Sequence, residues 1–339
     1  MTGFLLRRLG QTVLVLIGVS VIVFALIHIT PGDPVDVIFA GENITDEQKD
    51  AYREQLGLDR PLPVQYAEFA AAAATGDLGM SIRQQVPVTQ LIAAALPATI
   101  ELTLAALLVA IVVAVPIAIV SGLRPGSVWD RGGSISALFG ISMPSFWLGI
   151  MLILLFSVNL RWLPPTGRLD LGTGLEMVTG LAVIDAIVTG NLVGLRSALV
   201  HLVLPAFTLG TAIAATIARV LRSGLLEVRG QDYVDALHAR GLASTRVVRH
   251  IVRNALPPTV TVMGVRIGTL LGGAIIVEMV FSWPGLGRLI IDAIRARDYP
   301  TVQGAVLVMA VVFVVVNLIA DLLYAWLDPR VRYGQKAEA

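Results

Sequence analysis

The chain has 339 residues, of which 56% are hydrophobic and 14% are charged, with a net charge of +1, a mean hydropathy of +0.80 and no cysteine. Soluble domains carry about 25% charged residues, so this composition excludes a soluble globular protein. The lack of cysteine excludes a disulfide framework, a thiolate zinc site and a cysteine nucleophile. Lys49 and Lys336 are the only lysines, and the sequence contains no GxxxxGK[ST] motif. We therefore expect no nucleotide site and, since the histidines lack metal-ligand spacing, no metal site in this chain.

Six stretches are long and apolar enough to cross a membrane, which takes about 20 residues of helix. They are Leu9–Ile29, Ala98–Gly122, Ser134–Leu160, Val200–Ser223, Thr259–Phe281 and Thr301–Leu327. The first is too long for a secretory signal and lacks a cleavage site, so we interpret it as a retained signal anchor. The sequence predicts an all-α integral membrane protein with six transmembrane helices, five of them in a core over residues 98–327.

Arginine and lysine in the connecting segments set the orientation, because positively charged segments tend to stay in the cytoplasm. With the N-terminus inside, segments 1–8, 123–133, 219–258 and 328–339 hold 14 basic residues, whereas the longer outer segments 30–97, 161–199 and 282–300 hold 10. We therefore place both termini, including the tail 328–339, in the cytoplasm.

Two outer segments are long enough to fold outside the membrane. Segment 30–97 is predicted to be an external helical subdomain, because Thr45 and Gln48 form a capping-box pattern before a helix over Thr45–Leu56, with Gly57 where that helix would stop. In the external insertion 161–199, residues 175–192 predict an interfacial or packed external helix, with a seventh spanning helix as the alternative.

Single residues near the predicted membrane ends are interpreted as parts of helix ends or interfaces. Glu101 is expected near the start of the second spanning helix, where a negative charge suits the helix dipole. Tryptophans are expected in an aromatic belt at the membrane interfaces: Trp147, Trp162, Trp283 and Trp326.

The inner segment 219–258 is rich in arginine and far too long for a simple hairpin. Such a basic segment is typical of binding to anionic lipid headgroups, or of docking to a cytoplasmic partner. Within it, Asp235-Ala236-Leu237 is followed after three residues by Gly241, after nine more by Ile251, and then by Leu256-Pro257. This pattern resembles the cytoplasmic EAA loop of binding-protein-dependent ABC importers, with Asp235 in place of the glutamate and Leu237 in place of the second alanine.

Further segments are similar to the peptide-permease branch of that family and occur along most of the chain. They are Pro31–Pro34, Leu56–Pro61, Gly76–Ser81, Met143–Gly149, Glu278–Gly287, Asp298–Pro300 and Leu327–Arg332. The shared order of these segments makes chance similarity improbable.

The resemblance implies a type I ABC importer permease with no catalytic activity of its own. It implies pairing with a second, homologous permease subunit, docking of two ABC ATPase subunits through the EAA loop, and delivery of peptide by an extracytoplasmic binding protein. ATP and magnesium would belong to the ATPase subunits, this chain would bind no cofactor, and no nucleic acid partner is expected. The implied docking residues are Asp235, Ala236, Arg240, Gly241, Leu242, Ile251, Asn254, Leu256 and Pro257.

Ionisable residues inside predicted membrane helices are costly and are functional hypotheses by default. Arg266, Glu278 and Asp321 either line a translocation pathway that meets the ends of a peptide or form polar contacts between helices. Gly268 and Gly272 form a GxxxG pair, with Gly273 beside it, which favours close helix packing.

Two other functions compete with the importer hypothesis. An intramembrane enzyme would rely on Ser142 in the segment Gly140–Met143, but no histidine is placed to serve that serine. An autonomous ion-coupled transporter would usually show internal repeats, and we find no convincing one. Within the importer class the branch includes carriers of dipeptides, oligopeptides, glutathione or nickel, and peptide is the expected substrate.

Overall fold

The computed structural model describes residues 2–29, 45–55 and 59–327, and it describes side chains there except at residues 2–9, 26–29, 52, 55, 265, 321 and 323–327. These residues form twelve α-helices and one π-helix, and Met80 and Pro87 form an isolated antiparallel β-bridge. The helices are α1 (Thr2–Ile29), α2 (Asp46–Gln55), α3 (Leu62–Ala74), α4 (Val88–Leu123), α5 (Val128–Ser142), α6 (Ser145–Leu152), α7 (Ala182–Val188), α8 (Leu192–Arg229), α9 (Asp232–Ala239), α10 (Ser244–Val280), α11 (Leu286–Arg295) and α12 (Tyr299–Leu327).

Several of these helices are long and apolar enough to cross a membrane. Helices α4, α8 and the Tyr299–Ala320 part of α12 satisfy both criteria as single helices. Two bent pairs satisfy them together: Val128–Ser142 with Ser145–Asn159, and the two parts of α10, Ser244–Gly264 with Arg266–Val280. In α1, a shorter apolar stretch runs from Gly10 to Ala25. The described residues thus supply three to five candidate spans by length and composition.

The predicted helix boundaries are wrong at the ends of the core helices. Helix α4 begins at Val88, ten residues before the predicted start, so Glu101 lies inside the helix and not at its N-terminus. Helix α8 runs over 38 residues, about 57 Å at 1.5 Å per residue, and continues past Ser223 to Arg229. Helix α10 begins at Ser244 instead of Thr259. The inner segment 219–258 is therefore largely an extension of two long helices, with the short helix α9 between them.

The third predicted span is a broken helix. Helices α5 and α6 meet at an angle of 108° across Met143 and Pro144, and a π-helix over Ile153–Asn159 continues α6. Met143 has an extended backbone because a residue that precedes proline is disfavoured in the helical region. The proline then starts α6 with no amide hydrogen to satisfy.

The external insertion contains far less helix than predicted. Residues 175–192 contribute only the seven-residue helix α7 before α8 begins. Gly180 and Gly190 have φ values of +79° and +66°, which interrupt a helix on either side of α7. The Asn191 side chain then caps α8 by accepting a 2.8 Å hydrogen bond from the Gly194 amide.

The chain divides into two compact units, residues 1–97 with 285–314 and residues 98–284 with 315–339. In the second unit, α4 packs on α8 through small residues spaced four apart. Ala106, Ala110 and Ala114 are fully buried, and a Cβ on Gly210 would lie 2.5 Å from the Ala106 carbonyl oxygen. This close approach is the membrane-type packing that small residues permit.

The predicted GxxxG pair contributes unequally to packing. Gly268 is buried, whereas Gly272 is exposed, and a Cβ added to it would meet no atom within 4 Å. A Cβ on the neighbouring Gly273 would lie 3.2 Å from Leu209 Cδ1. The approach at Gly210 is therefore closer than the one at Gly273.

In the first unit, Asp298 connects two of the segments that carry the family resemblance. Its carboxylate accepts hydrogen bonds from the Ser81 hydroxyl at 2.5 Å, the Ile82 amide at 3.1 Å and the Thr301 hydroxyl at 2.9 Å. Asp298 is buried and precedes α12, so these bonds fix the segment Gly76–Ser81 beside the start of that helix.

The predicted helix near residue 50 is confirmed as α2 (Asp46–Gln55). The capping box is also confirmed, since Gln48 Oε1 accepts from the Thr45 amide at 3.1 Å and Thr45 Oγ1 accepts from the Gln48 amide at 3.4 Å. Gly57, the segment Pro31–Pro34 and the tail 328–339 lie outside the described residues.

Candidate functional site

The predicted docking segment is a short helix, α9, held between the ends of α8 and α10. It ends in a two-bond cap in which the Gly241 amide donates to the His238 carbonyl at 2.9 Å and the Leu242 amide donates to the Leu237 carbonyl at 3.3 Å. This is a Schellman motif, which requires a left-handed residue, and Gly241 has φ = +73°. Glycine suits this position because it adopts a positive φ without a steric cost, and the chain leaves α9 there.

The base of α9 is anchored in the hydrophobic core of the second unit. Val234 packs in the same buried cluster as Val247 and Ile251 of α10, each less than 4% exposed. The Asn254 side chain donates a 2.8 Å hydrogen bond to the Tyr233 hydroxyl. These contacts fix α9 against the first turns of α10.

The predicted docking residues divide into an exposed group and a supporting group. Asp235, Ala236, Arg240 and Gly241 are exposed, and we call these four residues the α9 tip. The supporting group lies at the base or along α10: Leu242 and Leu256 are half-buried, Ile251 is buried, and Asn254 and Pro257 are exposed. A partner that approaches this end of the molecule would therefore meet the α9 tip, whereas Ile251 acts through packing.

An open groove of α10 lies beside this base. Its lining combines an apolar row with basic side chains: Thr245, Val248, Arg249, Val252, Arg253 and Leu256. These residues recur at intervals of three and four, so they form one face of the helix. This groove extends the exposed surface from the α9 tip along α10 and gives it a positive charge.

The three predicted pathway residues have different surroundings. Arg266 is exposed on α10. Glu278 is fully buried near the end of the same helix, where it accepts a 2.6 Å hydrogen bond from the Thr99 hydroxyl of α4. The Asp321 side chain lies outside the described residues. Arg266 and Glu278 therefore differ in burial, and Glu278 makes an interhelical polar contact.

Sequence reasoning missed a buried ion pair that joins the external insertion to α4. The Arg168 guanidinium donates to Glu101 Oε2 at 2.9 and 2.5 Å, and both side chains are less than 10% exposed. The other carboxylate oxygen of Glu101 accepts from the Val183 amide at 2.7 Å, and Arg168 also donates to the Gly180 carbonyl at 2.7 Å. The partners are 67 residues apart, and no spacing rule pairs them.

Trp283 belongs to the same cluster, and its predicted place in an aromatic belt is wrong. It is fully buried, its indole nitrogen donates to the Ala98 carbonyl at 2.9 Å, and the Arg168 guanidinium carbon lies 5.9 Å from its ring centroid. A cation near an aromatic face is stabilised by the ring quadrupole. The cluster of Glu101, Arg168 and Trp283 therefore fixes the insertion to the helix bundle of the second unit.

Asp185 provides a second anchor inside the insertion. Its carboxylate accepts hydrogen bonds from the Thr179 amide at 2.8 Å, the Thr179 hydroxyl at 2.7 Å and the Gly180 amide at 2.9 Å. Burial by itself raises the pKa of Asp185, but these bonds stabilise the charged form and together bring the pKa below its usual value.

At the opposite end of α8, an ion pair holds the turn between α4 and α5. Arg222 donates to the two carboxylate oxygens of Asp130 at 2.6 and 3.0 Å, and Asp130 also accepts from the Gly126 amide at 2.9 Å. Arg229 donates to the Leu123 carbonyl at 3.0 Å. Arginines that sequence analysis grouped as one basic segment therefore have distinct roles, and two of them fix helix ends.

Two family models together match most of the chain. A family model described as "Binding-protein-dependent transport system inner membrane component" matches residues 114–333, and one described as "Binding-prot-dependent transport system membrane comp, N-term" matches residues 1–103. A crystal structure of an amino acid ABC transporter with histidines matches 71% of this chain and 94% of that chain, at a TM-score of 0.47 and 15% identity.

Individual relatives are similar from end to end. The chain is 44% identical over 335 residues to the di/tripeptide transport system permease protein DppB of Pseudomonas aeruginosa, which covers 98% of this chain and 99% of that protein. It is 42% identical over 337 residues to the dipeptide transport system permease protein DppB of Escherichia coli K12, with 98% and 99% covered. It is 37% identical over 335 residues to the oligopeptide transport system permease protein AppB of Bacillus subtilis, with 98% and 100% covered.

Proposed function

Because the chain belongs to the family of binding-protein-dependent transport system inner membrane components, we propose that it is the membrane-spanning permease subunit of an ATP-driven peptide importer. The observation that carries the proposal is the identity of 42–44% along 98% of the chain to di/tripeptide and dipeptide transport permeases. The membrane location is supported by long apolar helices.

The proposed assembly contains four kinds of component. This chain and a second, homologous permease form the two halves of the pathway, two ABC ATPases bind on the cytoplasmic side, and an extracytoplasmic protein delivers the peptide. ATP and magnesium bind to the ATPases and not to this chain, which has no GxxxxGK[ST] motif. In this proposal the chain crosses the bacterial inner membrane six times, with both termini in the cytoplasm and residues 30–97 outside.

The α9 tip is proposed as the docking element for an ATPase subunit. It is exposed, it carries Asp235 and Arg240 for polar contacts, and its base is fixed by the core residues Val234 and Ile251. A rigid base is what coupling requires, because a displacement of the tip then moves α10 and not only a loop. Helix α10 also carries Arg266 and Glu278, the proposed pathway residues, so the helix that holds the base of the α9 tip also carries pathway residues.

Co-purification tests the proposal. The tagged chain is extracted from its native membrane in mild detergent, and the proteins retained in stoichiometric amounts are identified by mass spectrometry. We expect a second permease and an ABC ATPase, with an extracytoplasmic peptide-binding protein after crosslinking. Recovery of the chain alone, also after crosslinking, together with peptide uptake that persists without any ATPase, would overturn the proposal.

A further inference from the structure

A groove between α4, α5 and α8 is not used by the proposed transport mechanism. It has a volume of about 350 Å³, more than ten times the roughly 30 Å³ share of one water molecule. Apart from Ser136 and Thr211, its lining is apolar, and the Thr211 hydroxyl already donates to the Phe207 carbonyl within α8. A groove of this composition cannot satisfy the hydrogen bonds of enclosed water, so it favours an apolar occupant.

The groove changes character at one end. A smaller cavity of about 70 Å³ shares Ile117, Gly133 and Ala137 with the groove, and adds Ser121, Ser134 and two arginines to the lining. The larger space therefore adjoins a polar space at the end of α8 where the basic residues lie. An occupant must be apolar along most of its length and polar at this end.

The two arginines at the polar end differ in their availability. Arg222 is paired with Asp130 through two hydrogen bonds. Arg219 is exposed, and no described residue forms an ion pair with it. A guanidinium binds phosphate oxygens with good geometry, so Arg219 offers a site for an anionic headgroup.

We propose that this groove binds an anionic phospholipid, with an acyl chain between α5 and α8 and the phosphate at Arg219. Basic pockets between membrane helices on the cytoplasmic side are a known place for anionic headgroups. In the proposed orientation Arg219 lies at the inner leaflet, and that part of the inference rests on the proposed function. A helix of the second permease would instead cover Arg219 with apolar atoms, which costs free energy unless it supplies a carboxylate.

Photocrosslinking in the assembled complex tests the site. The complex is reconstituted into phosphatidylcholine nanodiscs that contain phosphatidylglycerol with a diazirine on one acyl chain, and the adducts are mapped by mass spectrometry. We expect adducts on groove residues of α5 and α8. Arg219→Gln should lower their yield by about fivefold, the factor that corresponds to one basic residue near a membrane surface.

Matched variants separate the headgroup and the acyl chain. Ala137→Phe fills the groove and should lower the same adducts, whereas Leu138→Phe, on an exposed position outside the lining, should not. Arg124 follows the last residue of α4 and does not line either cavity. Arg124→Gln also removes one positive charge and should leave the adduct yield unchanged. Retention of the partner subunits confirms that each variant is assembled.

Two results would overturn the inference. If Arg219→Gln and Arg124→Gln give the same yield as the wild type, the groove does not select an anionic headgroup. If the lipid adducts of the assembled complex map outside the groove residues of α5 and α8, the acyl chain does not lie in this groove. Neither result depends on transport, so a failure of the proposed function would show separately, as the absence of ATPase in the purified complex.

Discussion

The α9 tip and the external insertion lie at opposite ends of the long helix α8, and their charged residues differ in burial. In the insertion, Arg168 is buried against Glu101, and Asp185 is saturated by hydrogen bonds from its own segment. At the α9 tip, Asp235 and Arg240 are exposed. The insertion therefore uses its charges to hold the chain together, whereas the tip leaves its charges available to another protein.

The largest effect is expected at the tip. Gly241→Trp combines a left-handed backbone position with a bulky group on the docking surface, so ATPase association and transport should both be lost. Gly241→Asn, which tolerates this conformation better, should retain much of both. Co-purification of ATPase with each variant is the measurement.

Gly172→Trp is the matched control for this prediction. Gly172 lies in the insertion, has φ = +82° and has open space around it, as Gly241 does. A tryptophan at position 172 therefore causes similar backbone strain and adds the same bulk, but in the insertion and not at the α9 tip. It should leave ATPase association at the wild-type level. Equal ATPase recovery from the Gly241→Trp variant and the wild type would count against docking at the tip.

The second effect concerns stability in the insertion. Glu101→Gln leaves the Arg168 guanidinium buried without its carboxylate, which should cost roughly 3–5 kcal/mol of unfolding free energy. Thermal unfolding in detergent measures the loss. The exposed pair of Arg288 and Asp292 is the control. Asp292→Asn removes a half-exposed partner of Arg288, and this substitution should cost under about 1 kcal/mol of unfolding free energy. Similar losses of unfolding free energy in both variants would show that burial of the Glu101–Arg168 pair does not increase its contribution to stability.

A smaller and pH-dependent effect is expected at Asp185. Its pKa is lower in the folded chain than the usual unfolded value of about 3.9, so its contribution to stability is complete above that value and is lost as the pH falls through the folded pKa. Asp185→Asn removes acceptor capacity for buried donors and should cost about 1–3 kcal/mol at neutral pH. The difference between the unfolding midpoints of the two proteins should be constant well above about pH 3.9 and should shrink as the pH falls below that value. A difference that stays constant below about pH 3.9 would contradict the assignment.

The smallest effect is expected at the base of α9. Asn254→Ala removes one exposed hydrogen bond to Tyr233, so it should cost no more than about 1 kcal/mol and reduce ATPase association only slightly. Tyr233→Phe removes the acceptor of the same hydrogen bond and should have the same effect on stability and ATPase association as Asn254→Ala. If either variant abolished docking, this bond and not the buried core would be what fixes α9.

Sequence reasoning predicted the parts of the fold that depend on local pattern. The capping box at Thr45 follows from local spacing and is confirmed. Of the six apolar stretches predicted from composition, the described residues supply three to five candidate spans. The resemblance to the EAA loop also rests on local spacing, since its residues lie within 25 positions of one another, and the docking role that it implies stays a prediction.

The remaining features depend on contacts between distant residues. The pairs Glu101–Arg168 and Asp130–Arg222 join positions 67 and 92 residues apart, and no periodicity connects them. The extension of α8 and α10 beyond the apolar stretches was missed because polar residues continue a helix as readily as apolar ones once the helix is packed. Trp283 was wrongly predicted to lie at an interface because its indole contacts Ala98, which is 185 positions away in the sequence.

Cysteine crosslinking at the α9 tip tests the central claim most directly. The natural chain contains no cysteine, so Ala236→Cys introduces a unique thiol at an exposed position of the tip, and Leu171→Cys introduces one at an exposed position of the insertion. The complex is treated in native membranes with a thiol-to-amine crosslinker of short span. Docking at the tip predicts an adduct with the ATPase subunit from Ala236→Cys and none from Leu171→Cys. If Ala236→Cys gives no ATPase adduct while the ATPase still co-purifies, the subunit docks elsewhere and the claim is wrong.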